Sequence, residues 1–307
     1  MSKHILITGG TGMIGSMLTD ALTEKGYKIN LLSRSGRSKK KNLNIFGWDI
    51  EKEYIDPEAF EGVDTIVHLA GAGVADKRWT HERKLEILNS RTESTRLLNH
   101  FLSNNPHQVT SVICASAIGI YGDSGKTKVD EDSLIRPADF LADVTRAWEE
   151  ESDQFALQGL RLVKMRIGIV LSKTGGALEK MAQPVRLGVG APLGSGEQYM
   201  SWIHIDDLIQ MFVYAISNEQ LIGTFNAVAP NPVTNKEFTK MLGSVLGKLV
   251  FLPAVPSFVL KAMLGEMALI VLGGSNVSAD KIKKEGFHFK YENLKPALVH
   301  LLKNEEI

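Results

Sequence analysis

The run Thr8-Gly9-Gly10-Thr11-Gly12-Met13-Ile14-Gly15 constrains the fold more than any other part of this 307-residue chain. It follows a short apolar segment, His4 to Thr8, and opens a helical pattern from Met13 to Lys25. A bare G-x-G-x-x-G is common by chance, but between a strand and a helix it marks a dinucleotide-binding turn. Glycines permit the tight turn and let the backbone approach a pyrophosphate, while the helix N-terminus offers unpaired N–H groups to the anion. Gly9, Gly12, Met13, Ile14 and Gly15 are therefore expected to touch a cofactor.

Strand-like and helix-like segments alternate through the first half of the chain. Tyr27 to Ser33, Asn44 to Trp48, Thr65 to Ala70, Val109 to Ala115 and Arg161 to Leu171 read as strands, with helices near Glu82 to Leu102 and Asp139 to Leu157. Such alternation predicts an α/β fold with a Rossmann-like, doubly wound parallel sheet. Residues 173–200 are rich in glycine and proline, which predicts irregular chain over a cleft. A helix from Ile205 to Ser217 and a strand near Gly223 to Val228 follow. Residues 1–229 are read as the cofactor-binding domain and 230–307 as a small, mostly helical cap. Within that cap Phe258, Val259, Met263, Met267 and Ile270 recur at roughly helical spacing, which predicts core packing.

The choice of dinucleotide rests on the end of the second strand. NAD-binding folds place an acidic residue roughly 20 positions past the loop to hold the ribose 2′-hydroxyl. No acidic residue lies between Tyr27 and Asn44; Ser33 and Arg34 end the strand, and Arg37, Lys39, Lys40 and Lys41 follow. A guanidinium suits a 2′-phosphate, so NADP is expected, with NADPH preferred over NADH. Asp49, after the third strand, is a candidate acceptor for the adenine amino group or an ordinary surface-turn aspartate.

Composition excludes several classes of partner. Lys+Arg and Asp+Glu both count 35, so no global field favours nucleic acid or an anionic membrane. The single cysteine, Cys114, can form neither an internal disulfide nor a cysteine metal site. Phe251 to Leu272 is apolar, but two prolines, Lys261 and Glu266 interrupt it, so no membrane span is expected and the chain reads as cytoplasmic. His204 with Asp206 and Asp207 supplies too few ligands for a metal site on its own. His68 reads as a core or cofactor-edge histidine.

TGGTGMIG, HLAGAGV (68–74), SAIGIYGD (116–123) and WIHIDD (202–207) together resemble the extended short-chain dehydrogenase/reductase superfamily. Arg78-Trp79-Thr80, Ser90-Arg91 and the tail from Pro253 to Leu302 are similar to its atypical "epimerase family" branch, whose members carry a C-terminal domain of unknown function. The resemblance implies cofactor contacts at Ala70, Gly71, Ala72, Gly168 and Ile169. It also sets Arg91 where relatives often have asparagine, as a ligand for an anion or as a surface arginine paired with an acidic neighbour. In the superfamily a tyrosine and a lysine four residues later move the proton; here those positions align with Phe140 and Val144, neither of which can. Tyr121 then becomes the leading proton donor, with Ser116 as the orienting hydroxyl, and packing beneath the cofactor is the competing role for Tyr121. Arg78, Trp79 and Lys84, beyond the fourth strand, are candidates for an apolar wall and an anion contact, or for an anchor of the cap.

Two functions remain open. One is an NADP(H)-dependent oxidoreductase, or an epimerase working by transient oxidation, acting on an unknown small molecule for which a sugar nucleotide is the family's commonest form. The other is a non-catalytic, NADP(H)-responsive regulatory module, for which a cell-division-related role has parallels among distant relatives. A homo-oligomer is compatible with either.

Overall fold

The computed structural model describes residues 3–34, 38–40, 43–135 and 139–303. The first half comprises β1 (His4–Thr8), α1 (Met13–Glu24), β2 (Lys28–Ser33), β3 (Ser38–Lys40), β4 (Leu43–Asp49), β5 (Tyr54–Ile55), β6 (Thr65–His68), α2 (His81–Asn104) and β7 (Ser111–Ala117). Then come β8 (Lys128–Val129), α3 (Phe140–Leu157), β9 (Arg161–Ile167), β10 (Ile169–Ser172), β11 (Gly175–Gly176), α4 (Ala177–Arg186), β12 (Tyr199–Met200), β13 (Trp202–His204), α5 (Ile205–Ser217) and β14 (Gly223–Ala227). The C-terminal part holds β15 (Val233–Thr234), α6 (Asn235–Leu246), α7 (Ser257–Leu264), α8 (Leu269–Leu272), β16 (Asn276–Val277), α9 (Asp280–Lys284) and α10 (Leu294–Lys303).

The main sheet runs β14-β9-β7-β6-β1-β2-β4-β3, with β5 paired to β4. All its pairs from β14 to β4 are parallel, and β3 closes the far edge antiparallel to β4. Strand side chains alternate between the two faces, and the core follows that alternation. Ile5, Ile7, Val67, Ile113, Val163 and Met165 enter one core with α1 and α5. Leu6, Ile66, Val112, Cys114 and Leu162 enter the other, beneath α2 and α3. A doubly wound sheet covered on both faces is thus the observed fold. Cys114 is fully buried and burial pushes its thiol up to about 12, so it behaves as a small hydrophobe.

The mostly helical C-terminal region shares the first core: Leu242 and Val245 of α6 and Leu298 and Leu301 of α10 join the sheet's side chains there. Two expectations differ from the structure. Residues 173–200 contain α4, with Pro184 inside it. Phe258 and Met263 are 74% and 70% exposed, while Met267 and Ile270 pack inward. The reason is a chain break at Gly265, φ +61°, which splits the apolar run into short helices with different faces. Among the described residues no helix is long and apolar enough to cross a membrane.

The carboxyl ends of β1 and β6 are tied by a buried relay. Thr8 Oγ1 accepts from the Leu69 and Ala70 N–H groups, so its own hydrogen goes to His68 Nδ1, 2.7 Å away. His68 Nε2 then carries the ring hydrogen and donates to Thr95 Oγ1, at 2.9 Å, whose hydrogen serves the Arg91 carbonyl. Burial lowers the His68 pKa from 6.5 to about 3. The unfolded chain therefore takes up a proton on acidification that the folded chain refuses, and stability falls as pH drops below about 6.5. Wild type should lose about 2 kcal/mol more than His68→Gln between pH 7.5 and 5. Urea melts at both pH values check this; parallel losses in the two proteins would contradict it.

Candidate cofactor and reaction site

The glycine loop is shaped by contacts that no side chain would survive. Gly9 has φ +68°, and a Cβ there would lie 2.7 Å from the Leu69 backbone. A Cβ on Gly15 would come within 2.2 Å of the Gly9 carbonyl oxygen. The turn closes with Gly12 N donating to the Gly9 carbonyl at 3.0 Å. Gly12 is the N-cap of α1, no side chain caps this end, and its first turn has no acidic residue. The N-terminal N–H groups and the helix dipole are therefore left for an external anion. Met13 packs against the position of Gly176, so α4 begins over this turn.

The neighbouring loop, residues 69–75, is held by cations. Arg91 donates to the Ala72 carbonyl at 3.0 Å, Arg83 to the Gly73 carbonyl at 2.5 Å and Lys180 to the Ala75 carbonyl at 3.0 Å. The Ala72 N–H donates to Ser90 Oγ. Arg91 also stacks 5.1 Å from the Trp148 ring and, among the described residues, has no carboxylate partner. Burial and the nearby Arg83 charge lower its pKa to about 10. The Arg91 guanidinium lies beside Gly71, where a Cβ would sit 3.2 Å from its Cζ.

Ser116 and Tyr121 meet in one buried network on the α3 face. Ser116, Arg166 and Asn226 are register partners on β7, β9 and β14, each the next-to-last residue of its strand. Arg166 grips Glu149 of α3 with two hydrogen bonds of 2.9 Å, and Ser116 Oγ donates to the same carboxylate at 2.5 Å. Arg166 also donates to the Tyr121 hydroxyl at 2.8 Å, which in turn donates to Asn226 Oδ1 at 2.8 Å. Burial pushes the Tyr121 hydroxyl up to about 12, against the lowering influence of Arg166. Burial alone would raise Glu149, but its hydrogen bonds and charge contacts with Arg166, Ser116 and Lys164 leave it below the usual carboxylate range. With Thr8 and His68 these groups form a polar seam along the carboxyl ends of the strands, the edge where open α/β sheets bind ligands.

The remaining expected residues are placed as follows. Ser33 is buried at the end of β2 and Arg34 is exposed in the turn after it. Asp49 is already engaged: one oxygen accepts from the Lys52 N–H at 3.2 Å and the other meets Lys52 Nζ at 3.0 Å. The Gly168 and Ile169 N–H groups bond to the Ala227 and Ser201 carbonyls, and Gly168 has no room for a Cβ, which would sit 2.4 Å from Ser201 O. Phe140 and Val144 lie in an apolar cluster with Trp79, Ile87, Met267 and Ile270. Trp79 is edge-on to Phe140 at 5.0 Å in the cluster that also holds Met267 and Ile270, and Lys84 of α2 pairs with Glu266, so the loop and the start of α2 together anchor the C-terminal region.

Sequence reasoning missed Glu149, Arg166, Asn226 and His300. Only the Trp148-Glu149 pair on the helix predicted from Asp139 and a charged residue inside an apolar strand at Arg166 hinted at the first two. His300 reaches His204 across 96 residues at 3.1 Å. His204, Asp206 and His300 offer ligand atoms within 4.8 Å of one another. Yet His204 Nδ1 accepts the Asp206 N–H that caps α5, so its Nε2 hydrogen points to His300 Nδ1, and hydrogen bonding accounts for the group. Asp207 faces away, accepting from the Lys290 and Tyr291 N–H groups.

Residues 5–227 match the model of the NAD dependent epimerase/dehydratase family, and residues 255–301 match a domain of unknown function, DUF1731. The epimerase family protein YfhF of Bacillus subtilis is 37% identical over 300 residues, covering 97% of this chain and 98% of that protein. The crystal structure of human epimerase family protein SDR39U1 with NADPH superposes with a TM-score of 0.85 at 31% identity, covering 98% of this chain and 99% of that one. The UDP-glucuronic acid 4-epimerase of Bacillus cereus, in complex with UDP-glucuronic acid and NAD, has a TM-score of 0.77 at 18% identity and covers 96% of each chain.

The NAD dependent family model corrects the expected NADP(H) preference. The family model is NAD dependent, and MoeE5, like the Bacillus cereus enzyme, was solved with NAD, which points to NAD. Lys39 and Lys40 stand on β3, the outermost strand of the sheet. Arg37 and Lys41 lie outside the described residues.

Proposed function

Because this chain belongs to the NAD dependent epimerase/dehydratase family, we propose that its glycine loop and polar seam form one dinucleotide-dependent redox site. Its character is that of an epimerase- or oxidoreductase-like Rossmann protein. The observation that carries the proposal is the uncapped start of α1 beside glycines that admit no side chain. Gly9, Gly12, Met13, Ile14 and Gly15 would hold the pyrophosphate, with Ser33 toward the ribose and Ala70, Gly71, Ala72, Gly168 and Ile169 lining the remainder. The Arg91 cation beside Gly71 suits the charge of a dinucleotide or of a nucleoside-diphosphate sugar, the substrate class bound by the Bacillus cereus enzyme. A bound nicotinamide would supply hydride transfer.

The chain's own residues would then handle the proton. Phe140 and Val144 stand where the usual tyrosine and lysine are expected, and both are packed among apolar side chains. Tyr121 takes over as donor: its burial keeps it a phenol at neutral pH, and its hydrogen already points at an acceptor, Asn226. Such a group protonates a carbonyl oxygen more readily than it removes a hydroxyl proton, which favours reduction. Ser116 gives its hydrogen to Glu149 and would orient substrate through its lone pairs. Tyr121→Phe should lower turnover about 100-fold or more while leaving dinucleotide affinity within about threefold. Steady-state rates with UDP-sugars, alongside cofactor titration, test this; unchanged turnover would remove Tyr121 from the chemistry.

The apolar cluster around Phe140 favours a second reading, in which the dinucleotide is bound but not turned over. Saturable binding without oxidation or reduction of any nucleotide sugar or simple carbonyl compound would select it.

A further inference from the structure

We infer that Glu149 is the positioning residue of this site, one buried carboxylate that fixes the Ser116 hydroxyl directly and the Tyr121 hydroxyl through Arg166. The inference rests on the proposal that those two hydroxyls face the substrate. Its basis is the direction of every hydrogen in the row. A carboxylate only accepts and a guanidinium only donates. Ser116 must therefore donate to Glu149, and the Tyr121 oxygen must accept from Arg166. The phenol hydrogen is left for Asn226 Oδ1, and Asn226 cannot turn over because its Nδ2 donates to the Ser278 carbonyl at 3.0 Å. The Ser116 hydroxyl and the Arg166 fork are both set by one anion, held on α3 against the penultimate residues of β7 and β9.

The charges agree with the geometry. The two-point grip of Glu149 offsets the Arg166 cation, so a phenol 2.8 Å from a guanidinium is not driven to ionise. Lys164 also faces Glu149, at 3.6 Å, but is drawn to Asp153 at 2.6 Å. On the far side Glu131 accepts from the Asn226 N–H, with Asp130 and Lys281 near it. Neutralising Glu149 leaves Arg166 uncompensated next to Tyr121. It also offers Ser116 and Arg166 an amide whose N–H₂ group donates where only acceptance occurred.

The test is tyrosinate difference absorption during alkaline titration of Glu149→Gln, with Tyr121→Phe subtracted in each background to isolate this tyrosine. Tyr121 should ionise about one pH unit or more lower in Glu149→Gln than in wild type, because the unmasked cation favours the phenolate. Arg166→Lys, which keeps the charge but not the fork, serves if Glu149→Gln does not fold. It should shift the Tyr121 midpoint and weaken the effect of Ser116→Ala on turnover. A midpoint unmoved in either folded variant would overturn the inference. The titration needs no cofactor, so failure to bind NADH would count against the proposed function and leave this result to stand or fall by itself.

Discussion

Gly15→Ala is expected to weaken dinucleotide binding about a hundredfold or more, a change of roughly 2.7 kcal/mol. The added methyl would stand 2.2 Å from the Gly9 carbonyl oxygen and 2.7 Å from Gly10 Cα, inside any permitted contact. Both obstacles are backbone, so relief requires the turn itself to move. The turn cannot open freely, because Gly9 lies against the Leu69 backbone on its other side. The start of α1 would shift relative to the strand ends, and the N–H groups proposed to hold the pyrophosphate would lose their common focus. Overpacking of this kind also costs about 1–3 kcal/mol of stability. Fluorescence titration with NADH and a urea melt measure the two effects separately. Equal affinity in the variant would mean that the turn does not hold the cofactor.

Arg166→Met should be the most damaging change in the seam. It leaves Glu149 buried with Lys164 at 3.6 Å as its remaining cation, and with Ser116 as its hydrogen-bond donor. Removing one member of a buried ion pair typically costs about 3–5 kcal/mol, mostly from the stranded charge. The double variant Arg166→Met with Glu149→Leu should be closer to wild type than the single one, since replacing both partners with apolar groups removes the penalty. Urea denaturation of the three proteins decides this. A single-variant loss under about 1 kcal/mol would show that the pair does not anchor the edge.

The fold was legible because its signals are local. Near-continuous apolar runs on β1, β6, β7 and β9 declare a sheet covered on both faces, and the strand-glycine-helix junction at its edge has the pattern of a dinucleotide turn. The helix that carries Phe140 and Val144 was equally legible, since its start is set by Asp139, which accepts from the Leu141 and Ala142 N–H groups. What stayed hidden depends on register between distant strands. Ser116, Arg166 and Asn226 form a row only because β7, β9 and β14 align, and no spacing in the sequence records that alignment. The basic run after Arg34 misled for a related reason: an ordinary solvated basic segment and one that binds a phosphate look the same in one dimension. The helical spacing around Phe258 misled because Gly265 interrupts a pattern that periodicity treats as continuous.

Equilibrium titration of the wild-type protein with NADH, followed by cofactor fluorescence and repeated on Gly15→Ala, tests the central claim most directly. Saturable binding at one site per chain, lost in the glycine variant with the fold intact by circular dichroism, is the predicted result. A folded wild-type protein that binds no NADH, or binds it equally well with alanine at position 15, would contradict it.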